Sequence, residues 1–260
     1  MSRTPKQKQE PREISIREKA YLHIQQLVAS GKLPAGSAIS ELQLAKDLGS
    51  SRTPIREAMN QLAAEGMLEQ AAGGGMLVAH IKREDIVELY ELREALEVYA
   101  VARVAAMPLR AEDKHRLQEL IDGISVLQKE LVKSKKTLLN EVQMERFIAF
   151  DLGFHALLMS MTHNTRLQKI INDTRLLISV FAIRRGGHDL PTLKSIEQYH
   201  QKILNAVVAE NLEAARTALS EHIRASQQER LVEFDYWRRE ASLRQGVPVF
   251  FNIHRIRPEA

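Results

Sequence analysis

Residues 40–69, SELQLAKDLGSSRTPIREAMNQLAAEGMLE, restrict the folds open to this 260-residue chain more than any other stretch. Behind Ser40, Leu42, Leu44, Ala45 and Leu48 recur at helical spacing, Gln43 stands at the capping-box position, and Gly49 stops the run. A second helix follows almost at once. Ser51 suits its N-cap, Pro54 falls in a first turn whose backbone N–H groups lack partners anyway, and Ile55, Ala58, Met59 and Leu62 form an apolar side up to Glu65-Gly66. Residues 14–30 add a helix with Ile16, Ala20, Ile24 and Leu27 on one face, and Leu33-Pro34-Ala35-Gly36 turns the chain toward Ser40.

The placement of polar residues separates this pair from a plain helical hairpin. Ser51, Arg52, Thr53 and Arg56 fall on the first turn and a half of the second helix. A helix-turn-helix inserts that end into the major groove, where arginine forks onto guanine and hydroxyls reach phosphate or base edges. Met67–Gln70 and Met76–His80 then read as short strands around Ala71-Ala72-Gly73-Gly74-Gly75, and a hairpin with a glycine tip at this place is a wing. The competing interpretation is a three-helix module with a few surface arginines.

The run S-R-T-P-I-R-E-A-M-N-Q-L-A-A-E-G-M-L resembles the signature of the GntR family of bacterial transcription regulators. The resemblance implies a DNA-reading module with contacts from Ser51, Arg52, Thr53, Arg56 and the wing glycine Gly74. Members often carry a basic residue where this chain has Leu42, and arginines around the wing glycine where it has only alanine and glycine. A wing so stripped contacts DNA through backbone and shape. Two such readers in a homodimer meet palindromic half-sites about one helical turn apart.

Charge does not by itself locate the nucleic-acid surface. The chain carries a net charge of +4, yet between residues 12 and 80 seven basic residues stand against seven acidic ones. The basic groups must therefore gather on one face, with Arg3, Lys6 and Lys8 of a disordered arm, residues 1–13, adding phosphate contacts. Much of the excess lies in Arg238, Arg239, Arg244, Arg255 and Arg257, so residues 239–260 read as a basic, solvated tail rather than a second DNA contact. Cysteine is absent, which excludes disulfides and thiolate metal sites. No apolar run reaches the roughly 18 residues of a membrane span, and the polar N-terminus is no signal peptide, so a cytoplasmic protein without membrane contact is expected.

Residues 14–80 thus form a winged helix-turn-helix domain and Ile81–Arg83 a short hinge. Helical periodicity resumes through Ile86, Leu89, Leu92, Leu96, Val98 and Val101, with further helices at about 111–133, 138–162, 165–185, 193–209 and 211–238. The expected fold is mainly α: the winged domain plus an all-α helical bundle over residues 84–238.

Four residues of that bundle are not ones that packing would choose. Asp151 and His155 stand one helical turn apart on the face of Phe147, Phe154 and Leu158. His200 shares a face with Ile196, Ile203 and Val207, and His222 with Ala215, Ala218, Leu219 and Ala225. If the chain reverses near residue 210, His200 and His222 lie about 10 and about 12 residues from the turn and reach similar heights. A single inward histidine is usually a satisfied core residue; three with a carboxylate make a normal shell for one divalent metal ion per chain, zinc first, with nickel, manganese and iron as alternatives.

Residues 84–235 also resemble the all-helical C-terminal effector (FCD) domain of the FadR-type branch of that family. There the pattern D-x-x-x-H and two later histidines supply metal ligands; D-L-G-F-H, Y-H-Q-K-I-L and S-E-H-I place Asp151, His155, His200 and His222 in those positions. The resemblance implies a small carboxylate effector, a hydroxy or sugar acid, held at the metal. Within L-R-E-A-L-E it makes Arg93 a partner of that carboxylate, against the alternative of a surface salt bridge with Glu97 at i+4. A ligand-responsive regulator is therefore the expected function. The alternative class is a helical-bundle metalloenzyme: Glu197-x-x-His200 supplies half of a di-metal motif, but that motif needs a second such pair and further glutamates facing it in the bundle, and the reading leaves the winged module without a task.

Overall fold

The computed structural model describes residues 14–29, 32–80, 82–180 and 187–246. The chain divides into two compact units, Met1–His80 and Ile81–Ala260. The arm expected at 1–13, Ile81 of the expected hinge and residues 247–260 of the expected tail lie outside the described residues.

In the first unit α1 (Ile16–Ala29) precedes β1 (Ala38–Ile39), α2 (Glu41–Asp47), α3 (Arg52–Ala64), β2 (Leu68–Gln70) and β3 (Met76–Val78). The apolar stripes meet as helical spacing requires: Ala20, Ile24 and Val28 of α1 and Ile55, Ala58, Met59 and Leu62 of α3 are buried, joined by Leu44 and Ala45 of α2. Ser40 caps α2 by accepting from the Gln43 N–H at 3.2 Å, but the box is half made, because the Gln43 amide donates to Asp47. Ser51 occupies the N-cap of α3 in an extended conformation without a side-chain capping bond.

The sheet has one strand more than the sequence suggested. β3 is central, pairing antiparallel with β2 (Leu68 opposite Val78) and with β1 (Ala38 opposite Leu77). Two residues are too few for an alternation to show. β1 exists because Gly36, at φ 79°, turns the chain so that its N–H donates to Val78 O while the Val78 N–H donates to Ser37 O.

The second unit contains α4 (Arg83–Ala105), α5 (Ala111–Ser134), α6 (Glu141–Ser160), α7 (Thr165–Val180), α8 (Leu190–Val208) and α9 (Leu212–Gly246). Capping sets several boundaries. Asn140 forms a capping box with Gln143, so α6 starts at Glu141 rather than near 138. Asp189 accepts from the Thr192 N–H with Pro191 in the first turn, which starts α8 at Leu190 rather than 193. The final helix does not stop at 238 but continues to Gly246, so the first part of the expected tail is helical; the end expected for the helix at 165–185, residues 181–185, lies outside the described residues. Leu117, Ile121, Ile124, Leu127 and Leu131 of α5 are at most 1% exposed, each such burial contributing about 1.5–3 kcal/mol. Phe154 and Leu158 of α6, Ile203 and Val207 of α8 and Leu219 of α9 centre the main core. Among the described residues no helix is long and apolar enough to cross a membrane.

The end of α3 yields a clean test. Gly66, at φ 81°, lets its N–H donate to Ala63 O and the Met67 N–H donate to Leu62 O, a Schellman closure that leads directly into β2. A Cβ at Gly66 would meet nothing within 4 Å, so its substitution costs only backbone strain. Gly66→Ala is expected to lower the stability of the N-terminal unit by about 1–2 kcal/mol in urea unfolding while leaving the C-terminal unit unchanged.

Candidate metal centre and nucleic-acid interface

Three helices bring the four bundle residues together. Asp151 and His155 come from α6, His200 from α8 and His222 from α9, and one donor atom of each lies within 4.8 Å of all the others. His155 and His222 stack with ring centroids 5.2 Å apart, and their Nε2 atoms approach to 3.2 Å. His200 stands edge-on to both, sandwiched against Phe154 at 4.2 Å, with its Nε2 3.4 Å from Asp151 Oδ1. All three imidazoles are buried, whereas Asp151 retains 22% exposure of its side chain.

The arrangement fits a metal ion better than a closed polar core. Both ring nitrogens of His200 are buried without a hydrogen-bond partner. Burial, then the charge of Arg175, pushes His155 down to about 3; burial, then His200 and His155, holds His222 well below its ordinary value. Burial acts the other way on Asp151, but the nearby His200 and the charge of Arg175 outweigh it and keep the carboxyl well below its usual range. The site therefore offers neutral imidazoles at His155 and His222 and an ionised carboxylate at Asp151. Ligand atoms around a divalent ion at about 2.0–2.2 Å lie about 3–4 Å apart, close to the spacing found.

Behind the ligands lies a buried ion network that sequence reasoning largely missed. Glu97 on α4 is fully buried and accepts from Arg93 Nε at 2.8 Å and from Arg175 NH1 at 3.2–3.3 Å, and its Oε2 stands 3.3 Å from His155 Nδ1. Arg175 on α7 also donates through NH2 to Asp151 at 3.0 Å. Burial opposes the charge of Glu97, yet the two guanidiniums hold it well below the usual carboxylate range. The Arg93–Glu97 pair is thus no surface bridge: its side chains are 5% and 0% exposed. A signal was present, since Arg175 falls in step with the buried Ile171 and Ile178, and Glu97 in step with Tyr90, Arg93, Val101 and Val104.

This network forms one wall of a cavity of about 390 Å³. Arg93, Asp151, Arg175 and His222 line it, together with His188, Glu229, and Tyr199 and Ser195 of α8. Glu197, the residue of the di-metal alternative, is engaged elsewhere than at the Asp151–His155–His200–His222 group: it accepts from Ser125 and from Gln128 Nε2 at 2.6 Å, on α5.

In the first unit, Ser51, Arg52, Thr53 and Arg56 are all exposed on α3. Arg56 is engaged by Glu41 of α2 through Nε at 3.0 Å and NH2 at 2.9 Å. Gly74, at φ 86°, sits in the tip joining β2 to β3, where its N–H donates to Ala71 O.

Comparison with known proteins agrees with this architecture. The profile of the gntR family of bacterial regulatory proteins matches residues 16–78, and that of the FCD domain matches residues 88–225. The chain is 30% identical over 204 residues to the uncharacterized HTH-type transcriptional regulator YdhC of Bacillus subtilis, covering 78% of this chain and 85% of that protein. It is 32% identical over 199 residues, 76% of this chain and 81% of the relative, to a probable D-xylose utilization operon transcriptional repressor of Paenarthrobacter nicotinovorans. The solved structure of E. coli McbR/YncC shares the fold at a TM-score of 0.68 and 21% identity, over 85% of this chain and 100% of that one. These relatives are transcription regulators, not enzymes. The chain belongs to the GntR family of bacterial transcription regulators, with an N-terminal helix-turn-helix domain and a C-terminal FCD domain.

Proposed function

We propose that the protein is a dimeric, cytoplasmic, ligand-responsive regulator whose affinity for a palindromic operator is set by a small carboxylate, a hydroxy or sugar acid, bound at a divalent metal ion, foremost zinc. The observation that carries this reading is the convergence of Asp151, His155, His200 and His222, of which Asp151 and His222 line a cavity together with Arg93 and Arg175. Residues 14–80 read DNA, and residues 84–238 hold metal and effector.

Each group has a separate task. His155, His200, His222 and Asp151 would hold the ion; when bound, it supplies a Lewis-acidic centre that attracts an anionic oxygen. Arg93, resting over the Tyr90 ring at 5.0 Å, donates to Glu97 through Nε, which leaves its terminal nitrogens for the effector carboxylate. Arg175 joins the ligand Asp151 to the buried Glu97, so contact at the cavity is transmitted to α4 and α7. The effector acts by preferring one arrangement of the two readers over another. In α3, Ser51, Arg52, Thr53 and Arg56 face the major groove, and the tip at Gly74 approaches the backbone.

Purified, untagged protein is expected to contain about one divalent metal ion per chain by elemental analysis, and His200→Ala to lose it while remaining helical. Metal-free wild type of full stability would remove the metal from this account. The two sites are also separable: Arg52→Ala should abolish selection of a specific duplex with metal content unchanged, and His155→Ala should lose the metal and the response to carboxylates while still selecting that duplex. Loss of both properties together in either variant would contradict the assignment.

A further inference from the structure

We propose that Glu41 is a positioning residue for DNA recognition, holding the guanidinium of Arg56 by one edge so that the opposite edge faces the DNA in a fixed direction. This rests on α3 being the reading helix. Glu41 is the first residue of α2, and Arg56 lies in the second turn of α3. Nε of Arg56 donates to Oε1 at 3.0 Å and to Oε2 at 3.3 Å, and NH2 donates to Oε2 at 2.9 Å. The free donors are then those of NH1 and the outer hydrogen of NH2. That end-on fork is the one that matches O6 and N7 of guanine, or two phosphate oxygens.

Exposure supports the division of labour. The Arg56 side chain is 60% exposed and that of Glu41 27%, so the acid lies behind the arginine rather than beside it in open solvent. Their hydrogen bond also holds the Glu41 carboxyl below its ordinary value, so it stays charged. Arg52, Thr53, Glu57 and Asn60 complete the exposed face of α3, and Arg52 has no ion-pair partner among the described residues. One arginine of the face is therefore free to search, and the other is aimed in advance.

The carboxylate affects the two classes of DNA in opposite directions. Beside any phosphate backbone it repels, whatever the sequence. For a duplex that meets the fork it has already fixed the side-chain torsions that an unrestrained arginine must freeze on binding. Glu41 therefore weakens arbitrary contacts and strengthens the matching one, so specificity gains from both sides.

The test uses full-length protein, a short duplex selected by the wild type from a randomised library, and a scrambled duplex of the same composition, at one fixed salt concentration. Glu41→Gln is expected to tighten binding to the scrambled duplex about two- to threefold and to weaken binding to the selected one about tenfold. Arg56→Lys, which keeps the charge and loses the fork, should leave the scrambled duplex unaffected and weaken the selected one by a similar factor. Glu57→Gln, an acid of the same face, should tighten both alike and leave their ratio unchanged. The assignment is overturned if Glu41→Gln tightens both duplexes equally, since the acid then only restrains Arg56. It is equally overturned if both weaken together with a lower melting temperature, the mark of a purely structural pair. A wild type that selects no duplex would sink the reading helix itself, a result distinct from either.

Discussion

A carboxylate that water never reaches governs the design of the C-terminal unit. Glu97 has no exposed surface, and a buried charge without partners is among the costliest features a core can hold. Its partners come from its own helix in Arg93, from α7 in Arg175 and from α6 in His155. Those elements must stay in register for the charge to be satisfied. The register that satisfies it also turns His155 toward His222 and His200 toward Asp151. Ligand geometry and ion pairing are thus one constraint seen from two sides of the same imidazole.

What was legible in the sequence follows from how locally each signal was written. Caps, glycine stops and apolar spacing located the helices, because these are interactions of a residue with its own next turn. The convergence of Asp151 with three histidines was legible as well, because each stood in step with an apolar stripe. The buried face of α4 was legible at Ile86 and Val101 but not between them. Counting only Leu, Ile and Val selects Leu89, Leu92 and Leu96, yet Leu92 is 42% exposed and the buried line runs through Tyr90, Arg93, Glu97 and Val101. A face built to hold a charge pair hides from a search for hydrophobicity. β1 escaped for another reason: its two residues pair because of a turn at Gly36 and a partner almost forty residues onward, and neither shows in the strand itself.

The two units solve a similar electrostatic problem differently. In the bundle, Arg93 and Arg175 are desolvated and so must be paired with Glu97 and Asp151; the pairing fixes them but uses much of their charge. In the reader, Arg56 remains in solvent and is paired with Glu41 although burial does not require it. Exposed pairs of this kind add little stability, so the value of this one lies in direction rather than in folding energy. In a reader of zero net charge, at least one acid, Glu41, thus stands behind a base of the exposed face.

Arg175 carries a consequence for descent. One guanidinium holds Glu97 through NH1 and Asp151 through NH2, so neither acid can be exchanged without leaving the cation half satisfied, and exchanging the cation takes a partner from both acids at once. Single substitutions at these three positions each pass through a charge that has lost one of its partners. Lineages that diverge in what they sense should therefore drift readily along the Thr192, Ser195 and Tyr199 side of the cavity, while the triad is inherited whole or replaced whole.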